Sequence, residues 1–313
     1  MVRVMNNADD LLKRYKLSDE ENTRIFNEEL APSLFDKYTP RENPEIVIVG
    51  GQSGSGKTAL IAKTKQEDPS KMLITVDEYL PFHPEVDHII KEHPTQYLSI
   101  IGQDAGIWTA SCLKKATDES YPFIFEGTLR NTRIFETLTP SVEDGYKLTL
   151  KVLAVSGINS LISTSERFER EISLLGTGRL VTVSQHNDGY ENLPHTVKTV
   201  EDSNLCSVMQ VYRRGDDPEE PILVYDSQKE GNVYGSATEA IEHERRLDLE
   251  RTIPNAINRV NAIRETMLKR GATAREFENF NELEEYVKKV LSDYYAGSPN
   301  TIGDDVNLEQ KNR

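Results

Sequence analysis

The run Gly50-Gly51-Gln52-Ser53-Gly54-Ser55-Gly56-Lys57-Thr58 contains the spacing G-x-x-x-x-G-K-[ST], preceded by the apolar Ile46-Val47-Ile48-Val49 and followed by a helical segment. Strand, glycine loop and helix in that order form a cradle for phosphate. Glycines let successive backbone N–H groups converge on phosphate oxygens, and the helix opening near Lys57 adds the positive end of its dipole. Lys57 can reach the β and γ phosphates and Thr58 can hold a metal ion. ATP and Mg²⁺ are therefore the expected ligands, with Gly51, Gln52, Ser53, Gly54, Ser55, Gly56, Lys57 and Thr58 around the nucleotide and Thr58 as the metal contact. A glycine turn without nucleotide would leave the lysine and threonine idle. The loop alone leaves the reaction open among ATPases, GTPases and small-molecule kinases, although no guanine-reading N-K-x-D segment occurs.

Two acids stand where phosphoryl chemistry would use them. Ile74-Thr75-Val76-Asp77-Glu78 reads as the end of the strand after the loop's helix, and ligands bind at the carboxyl edge of a parallel sheet. A carboxylate there can take the proton of an attacking hydroxyl, which makes Asp77 a candidate base and substrate contact. The bland alternative is an acid capping the next helix. Phe123-Ile124-Phe125-Glu126-Gly127-Thr128-Leu129-Arg130 repeats the arrangement. Glu126 could order a Mg²⁺ shell or bind a hydroxyl, and Thr128 and Arg130 could contact an anionic substrate.

A transferring phosphoryl group also needs its charge offset. Arg167 and Arg170 fall on a helix predicted over 159–174, and Arg179 follows the Gly176-Thr177-Gly178 break on a loop able to act as a lid. His83, His88 and His93 recur every five residues, which turns each about 140° from the last on a helix and argues against a metal triad. Trp108 reads as a core residue.

The elements that would position these groups follow from periodicity. Ser18-Asp19-Glu20-Glu21 has the capping-box spacing and predicts a helix over 19–31 with Ile25, Phe26 and Leu30 inward. Pro32, Pro40 and Pro44 punctuate the link to a strand over 45–49. Apolar runs at 72–76, 122–125 and 147–155 alternate with amphipathic stretches, as parallel strands with crossover helices do. Beyond Asn192 the order loosens. Segments 206–213 and 221–226 read as a hairpin across Gly215-Asp216-Asp217-Pro218, and 238–296 as helices with Leu247, Leu249, Ile253, Ile257 and Val260 as their apolar stripe. The expected organisation is a helical preface over 1–44, an α/β core with a mostly parallel sheet over 45–235, a C-terminal helical extension over 236–296 and a flexible tail over 297–313.

Composition excludes some functions. Fifty-two acidic against 37 basic side chains leave a formal charge of −15, the wrong sign for a non-specific binder of nucleic acid or anionic membrane. No apolar run approaches the ~20 residues of a spanning helix, and residues 1–10 lack the apolar stretch of a secretory signal. The two cysteines, Cys112 and Cys206, read as small buried apolar groups in a reducing cytosol.

Taken together, these segments resemble the zeta toxin family of P-loop kinases from bacterial toxin–antitoxin systems. The resemblance covers roughly residues 18–230. It rests on the glycine loop with its helical and proline-rich approach, on Val76-Asp77 with His83-Pro84, and on Glu126-Gly127-Thr128 with Arg130. Ser165-Glu166-Arg167-Phe168-Glu169, Arg179 with His186, and Asn192-Leu193-Pro194 complete it. It implies a three-layer P-loop kinase fold and ATP-dependent phosphorylation of the 3′-hydroxyl of the sugar in UDP-N-acetylglucosamine. By position Asp77 corresponds to the general base, Lys57 to the phosphate-gripping lysine, and Arg167 and Arg179 to the arginines that stabilise the transferring group. Glu126, Thr128 and Arg130 fall on the substrate side. A small helical antitoxin is the implied protein partner. The acceptor side departs from the pattern at two positions, with Thr75 where close members carry a second acid and Ala110 where they carry a substrate-binding glutamate. Same-fold kinases of other UDP-sugars, nicotinamide dinucleotides or nucleosides, and a nucleotide-binding protein without transferase activity, are the alternative expectations.

Overall fold

The computed structural model describes residues 8–217 and 219–297, so most of the expected tail, 298–313, lies outside the described residues. The helices are α1 (Ala8–Tyr15), α2 (Asp19–Ile25), α3 (Ala31–Phe35), α4 (Lys57–Glu67), α5 (Val76–Tyr79), α6 (Val86–Glu92), α7 (Tyr97–Asp118), α8 (Arg133–Glu143), α9 (Gly157–Leu175), α10 (Val183–Ser203), α11 (Ala237–Arg270) and α12 (Ala274–Gly297). The strands are β1 (Glu45–Gly50), β2 (Met72–Ile74), β3 (Phe123–Gly127), β4 (Lys147–Leu153), β5 (Val208–Arg213) and β6 (Ile222–Asp226). They form one sheet in the order β2-β3-β1-β4-β5-β6. Five strands are parallel, and β6 returns antiparallel beside β5 as the expected hairpin.

β1 shows why the sheet needs cover on both faces. Successive side chains on a strand point to opposite sides; Ile46 and Ile48 join the core beneath α7 and the N-terminal helices, whereas Val47 and Val49 join Leu60, Ile61 and Tyr212 on the other face. An apolar run buried on both faces is the mark of a three-layer α/β fold. Trp108, fully buried on α7, belongs to the first core, as its place in the sequence predicts, and donates its indole N–H to Asn22 O at 3.1 Å. A third apolar cluster joins α9 to α11 and α12 through Ile158, Leu161, Ile162, Val260, Ile263 and Leu283.

Several boundaries differ from those the sequence predicts. The first long helical stretch runs past Ala31: α2 passes through a wide π-type turn, Phe26–Leu30, into α3, which encloses Pro32. Proline is tolerated there because it falls in the first turn of α3. Ser18 caps α2, but Glu21 turns away to Arg24, so only half of the capping box forms. β2 stops at Ile74, and Thr75 begins the next helix as its N-cap. The loosening expected beyond Asn192 is absent, since α10 continues through Pro194 to Ser203. On α11, Ile253 and Val260 of the expected stripe are buried, Ile257 is 40% exposed, and the buried face also carries Glu244, Arg245 and Asp248.

Candidate active site

The glycine loop leaves the carboxyl end of β1, between β3 and β4. Gly54 (φ +74°) and Gly56 (φ +99°) take up left-handed backbone, and a side chain on Gly54 would also strike the Ser160 carbonyl oxygen. Both positions therefore need glycine. Lys57 opens α4 and folds back, its Nζ donating to Gly51 O at 2.8 Å and Gln52 O at 3.2 Å, 3.8 Å from Glu126 Oε1. Among the described residues the amides of Gly54, Gly56, Lys57 and Thr58 have no hydrogen-bond partner. Unpaired donors at a helix N-terminus are what a polyphosphate fits. No group of three or more His, Cys, Asp or Glu able to cage an ion occurs among the described residues. A Mg²⁺ ion here would take Thr58 Oγ1 and complete its shell with phosphate and water oxygens, as that hard cation commonly does.

The Gln52 side chain is not part of the loop's open face. It is buried, donates from Nε2 to Val155 O (2.7 Å) and Ser160 Oγ (3.1 Å), and accepts from Arg245 Nη2 at 3.2 Å. Only its main chain remains in the cradle. Ser55 is likewise buried, its hydroxyl without a partner.

A cavity of about 1400 Å³ runs from the loop between α7 and α8. Lys57, Thr58, Asp77, Glu126, Thr128, Arg130, Arg167 and Arg179 all line it. The structure thus brings together every side chain that the sequence marks for catalysis, whereas Arg170 is exposed and does not line the cavity. Asp77 lies in the first turn of α5, two residues beyond where a strand end would hold it, and its two carboxylate oxygens accept from Arg179 Nη1 at 3.2 and 3.1 Å. Glu126 accepts from Thr75 Oγ1 at 3.3 Å. Leu129 adopts φ +54° in the turn after β3 while its side chain stays buried; a leucine held in left-handed backbone is strained, and such strain concentrates at functional sites. Arg130 sits at the rim, 63% exposed, 3.5 Å from Asp188. On the far wall stand Thr109 and Ala110 of α7, with Ile134 and Leu138 of α8 opposite.

Charge crowding shapes the ionisation of the site. Burial pushes the Lys57 ammonium down to about 8; Glu126 and Asp77 oppose the shift, and Arg179 and Arg167 reinforce it. Burial likewise lowers Arg167, with Glu171 opposing and Arg179 reinforcing. Arg167 Nε and Nη2 are buried without a hydrogen-bond partner, and Nε is 3.6 Å from Glu171. The Arg167 residue itself lines the cavity, while these two donors stay unmet beneath its surface. The cysteines take no part: burial raises Cys112 to about 11 and Cys206 to about 12, far from the thiolate.

Sequence reading misses Arg214, which follows β5 and donates to Ser55 O at 3.1 Å and to Gly54 O. The strand-end rule that selects Asp77 and Glu126 selects Arg214 equally well. It also misses Arg245, stacked 4.1 Å from the Tyr190 ring centroid and bonded to Gln52.

This glycine loop, set between β1 and α4 of a mostly parallel six-stranded sheet, defines a P-loop α/β protein of kinase-like fold. Residues 32–230 match the family model for zeta toxin, and the chain belongs to that family. It is 28% identical over 206 residues to Toxin zeta of Enterococcus hirae, spanning 65% of this chain and 70% of the relative. Toxin PezT of Streptococcus pneumoniae serotype 4 is 25% identical over 191 residues, 60% of this chain and 74% of that one. A solved structure from the PezAT chromosomal toxin–antitoxin system of Streptococcus pneumoniae superposes with a TM-score of 0.65 at 21% identity, covering 80% of this chain and 99% of the other. That likeness establishes the shared fold. The family match ends at residue 230, before α11 begins.

Proposed function

We propose that this protein is an ATP-dependent kinase of a sugar hydroxyl, with the 3′-OH of UDP-N-acetylglucosamine as its acceptor, acting as a zeta-type toxin. One observation carries the reading. Arg167, a cation with two unmet buried donors, lines the same cavity as Lys57, the Asp77–Arg179 pair and the glycine loop with its unpartnered amides. Such an arrangement suits an incoming group that is highly charged, and a polyphosphate matches the lining cations and the loop amides together.

In this mechanism the loop amides and Lys57 hold the triphosphate, and Thr58 is the residue that would hold the metal ion. Bound Mg²⁺ supplies charge neutralisation on the phosphate oxygens. Asp77 parts from Arg179 and accepts the proton of the acceptor hydroxyl as that oxygen bonds to the γ-phosphorus, the bond from phosphorus to the β–γ bridging oxygen breaks and ADP leaves. Arg179, released, and Arg167 offset the charge of the migrating phosphoryl group. Glu126 keeps Lys57 charged and, with Thr128 and Arg130, contacts the acceptor. Placement and fixed charge account for most of the rate, because phosphoryl transfer asks little covalent work of side chains.

A second acceptor class is favoured by a specific feature. Thr75 and Ala110 both line the cavity, and neither carries the charge that close family members place at the acceptor side. Another UDP-sugar, a nicotinamide dinucleotide or a nucleoside would meet a less acidic wall there. Incubation with ATP, Mg²⁺ and a panel of these compounds, followed by mass spectrometry, separates the readings. A gain of one phosphate on UDP-N-acetylglucosamine supports the first, and a gain on another compound identifies the second. Tight ATP binding without any product would mark a nucleotide-binding protein instead. The toxin reading draws on relatives named as toxins and predicts growth arrest on expression, relieved by a cognate helical antitoxin or by Lys57→Ala.

A further inference from the structure

Although α11 lies beyond the matched family segment, it reaches the supports of the glycine loop. Arg259 forks onto Glu166 of α9, with Nε to Oε1 and Nη2 to Oε2 both at 2.7 Å. Its other contacts are Nη1 to Asn159 Oδ1 at 2.7 Å and Nη2 to Ser163 Oγ at 3.1 Å. Residues 159, 163 and 166 are spaced by four and three, so a single guanidinium grips one face of α9 over two turns. The residue after Glu166 is Arg167.

Asn159 Oδ1 and Ser163 Oγ have a second donor. Arg214 Nη1 approaches them at 3.4 and 3.1 Å, while its Nε donates to Ser55 O at 3.1 Å and its Nη2 to Gly54 O. Asp248 of α11 takes Asn159 Nδ2 on both carboxylate oxygens at 3.1 Å. The amide is thereby fixed with Oδ1 toward the two arginines. Two neighbouring guanidinium groups repel, and Glu166 and Asp248 supply the compensating charge. In a trans peptide the carbonyl and the following N–H point in opposite directions. Holding the Ser55 carbonyl outward therefore aims the Gly56 amide, one of the unpartnered donors, into the cradle.

We infer that Arg259 is a positioning residue for nucleotide binding: through Asn159 and Ser163 it fixes Arg214, and through Arg214 it fixes the direction of the glycine-loop amides. The inference rests on the reading of that loop as an ATP site. It gives α11, outside the family segment, a role in the activity of the core.

Calorimetric titration of the full chain with ATP–Mg²⁺ tests it, with a thermal melt of each variant establishing that it is folded at the working temperature. Arg259→Ala should raise Kd about tenfold, the equivalent of one charge-assisted hydrogen bond at the loop. Arg259→Lys keeps the charge and stem but not the fork, should weaken binding in the same direction, and replaces the alanine variant if that one does not fold. Arg270→Ala is the control. It breaks a comparable forked pair between α11 and Glu169 of α9 (2.7 and 2.8 Å) that has no contact with Arg214, and should leave Kd within about twofold. Unchanged affinity in both Arg259 variants overturns the inference, as does equal weakening in Arg270→Ala, which would mean general loosening of α9. Wild-type protein that binds no ATP overturns the reading of the loop itself, and the positioning role with it.

Discussion

Arg179 Nη1 lies 3.2 and 3.1 Å from the two carboxylate oxygens of Asp77, so the proposed base and one of the proposed charge-neutralising groups occupy each other. Their side chains are 53% and 39% exposed, and an ion pair so open to water holds by only about 0–1 kcal/mol. Substrate charge can displace it readily. Asp77→Asn keeps the shape of the site and should preserve ATP binding while product formation falls by about 10²–10⁴, the usual contribution of a general base. Radiolabel transfer from γ-labelled ATP measures this, and near-full turnover in the asparagine variant would remove Asp77 from the mechanism.

Arg167 presents the opposite case, a cation without an adequate partner. Two of its buried donors are unmet, and a stranded buried donor costs roughly 1–3 kcal/mol. Arg167→Met keeps much of the stem and removes those donors. Thermal unfolding should show a protein as stable as wild type or up to about 1 kcal/mol more so, the trade expected when a site is built for function. Turnover should fall by about 10³–10⁵, the scale of an arginine finger. A large loss of stability with turnover per folded molecule retained would make the guanidinium structural.

The ammonium of Lys57 gives the site a pH signature. Held down to about 8, chiefly by burial, it loses its proton in the free protein as pH rises through that value. Phosphate binds the protonated form and raises its pKa. Affinity for ATP should therefore be flat below pH 8 and weaken above it by up to about tenfold per pH unit, with a proton taken up on binding. Titrations at pH 7 and 9 in buffers of different ionisation enthalpy read both effects. In Lys57→Met the proton uptake should vanish, and a wild-type Kd constant from pH 7 to 9 would contradict the assignment.

The site was legible in the sequence where chemistry constrains neighbouring residues and illegible where it depends on distant ones. Gly54, Gly56 and Lys57 announce themselves because a phosphate cradle needs particular backbone freedom at fixed spacing. Asp77 was located by the strand-end rule for a partly mistaken reason, since β2 ends at Ile74 and Asp77 stands on α5. The helices at 26–35 and 183–203 contain Pro32 and Pro194, and local propensity alone could not foresee that packing would override both. Arg245, Asp248 and Arg259 fall on a 34-residue helix, where charged side chains normally read as a solvated face. Their partners lie far away in the chain, as with the 93 residues separating Arg259 from Glu166. The one available signal was register: Ile241, Arg245, Asp248 and Thr252 follow the same four-three-four spacing, which places charges on the face that also holds apolar residues.

The N-terminal helices are tied to the site through Asp104, a carboxylate of α7 with no exposed surface. It accepts from Asn22 Nδ2 at 2.9 Å and from the Leu17 amide at 3.3 Å, and lies 3.7 Å from Nε2 of His83, whose ring also meets Tyr15 O at 3.1 Å. Asn22 in turn accepts the Trp108 indole N–H through its backbone carbonyl. His83 follows directly on the short helical turn Leu80–Phe82 that continues α5, so this network also steadies the element bearing Asp77. Asp104→Ala would strand the Asn22 and Leu17 donors at a cost of about 1–3 kcal/mol each. The destabilisation should be about 2–5 kcal/mol by urea unfolding, approaching that of Trp108→Ala at about 3–5 kcal/mol. Hydrogen exchange should localise it, with amides of α1, α2 and α5 losing protection while those of α11 and α12 keep theirs. An unchanged unfolding midpoint, or loss of protection spread evenly over both ends of the chain, would mean that Asp104 does not fasten the N-terminal helices to the element that carries the base.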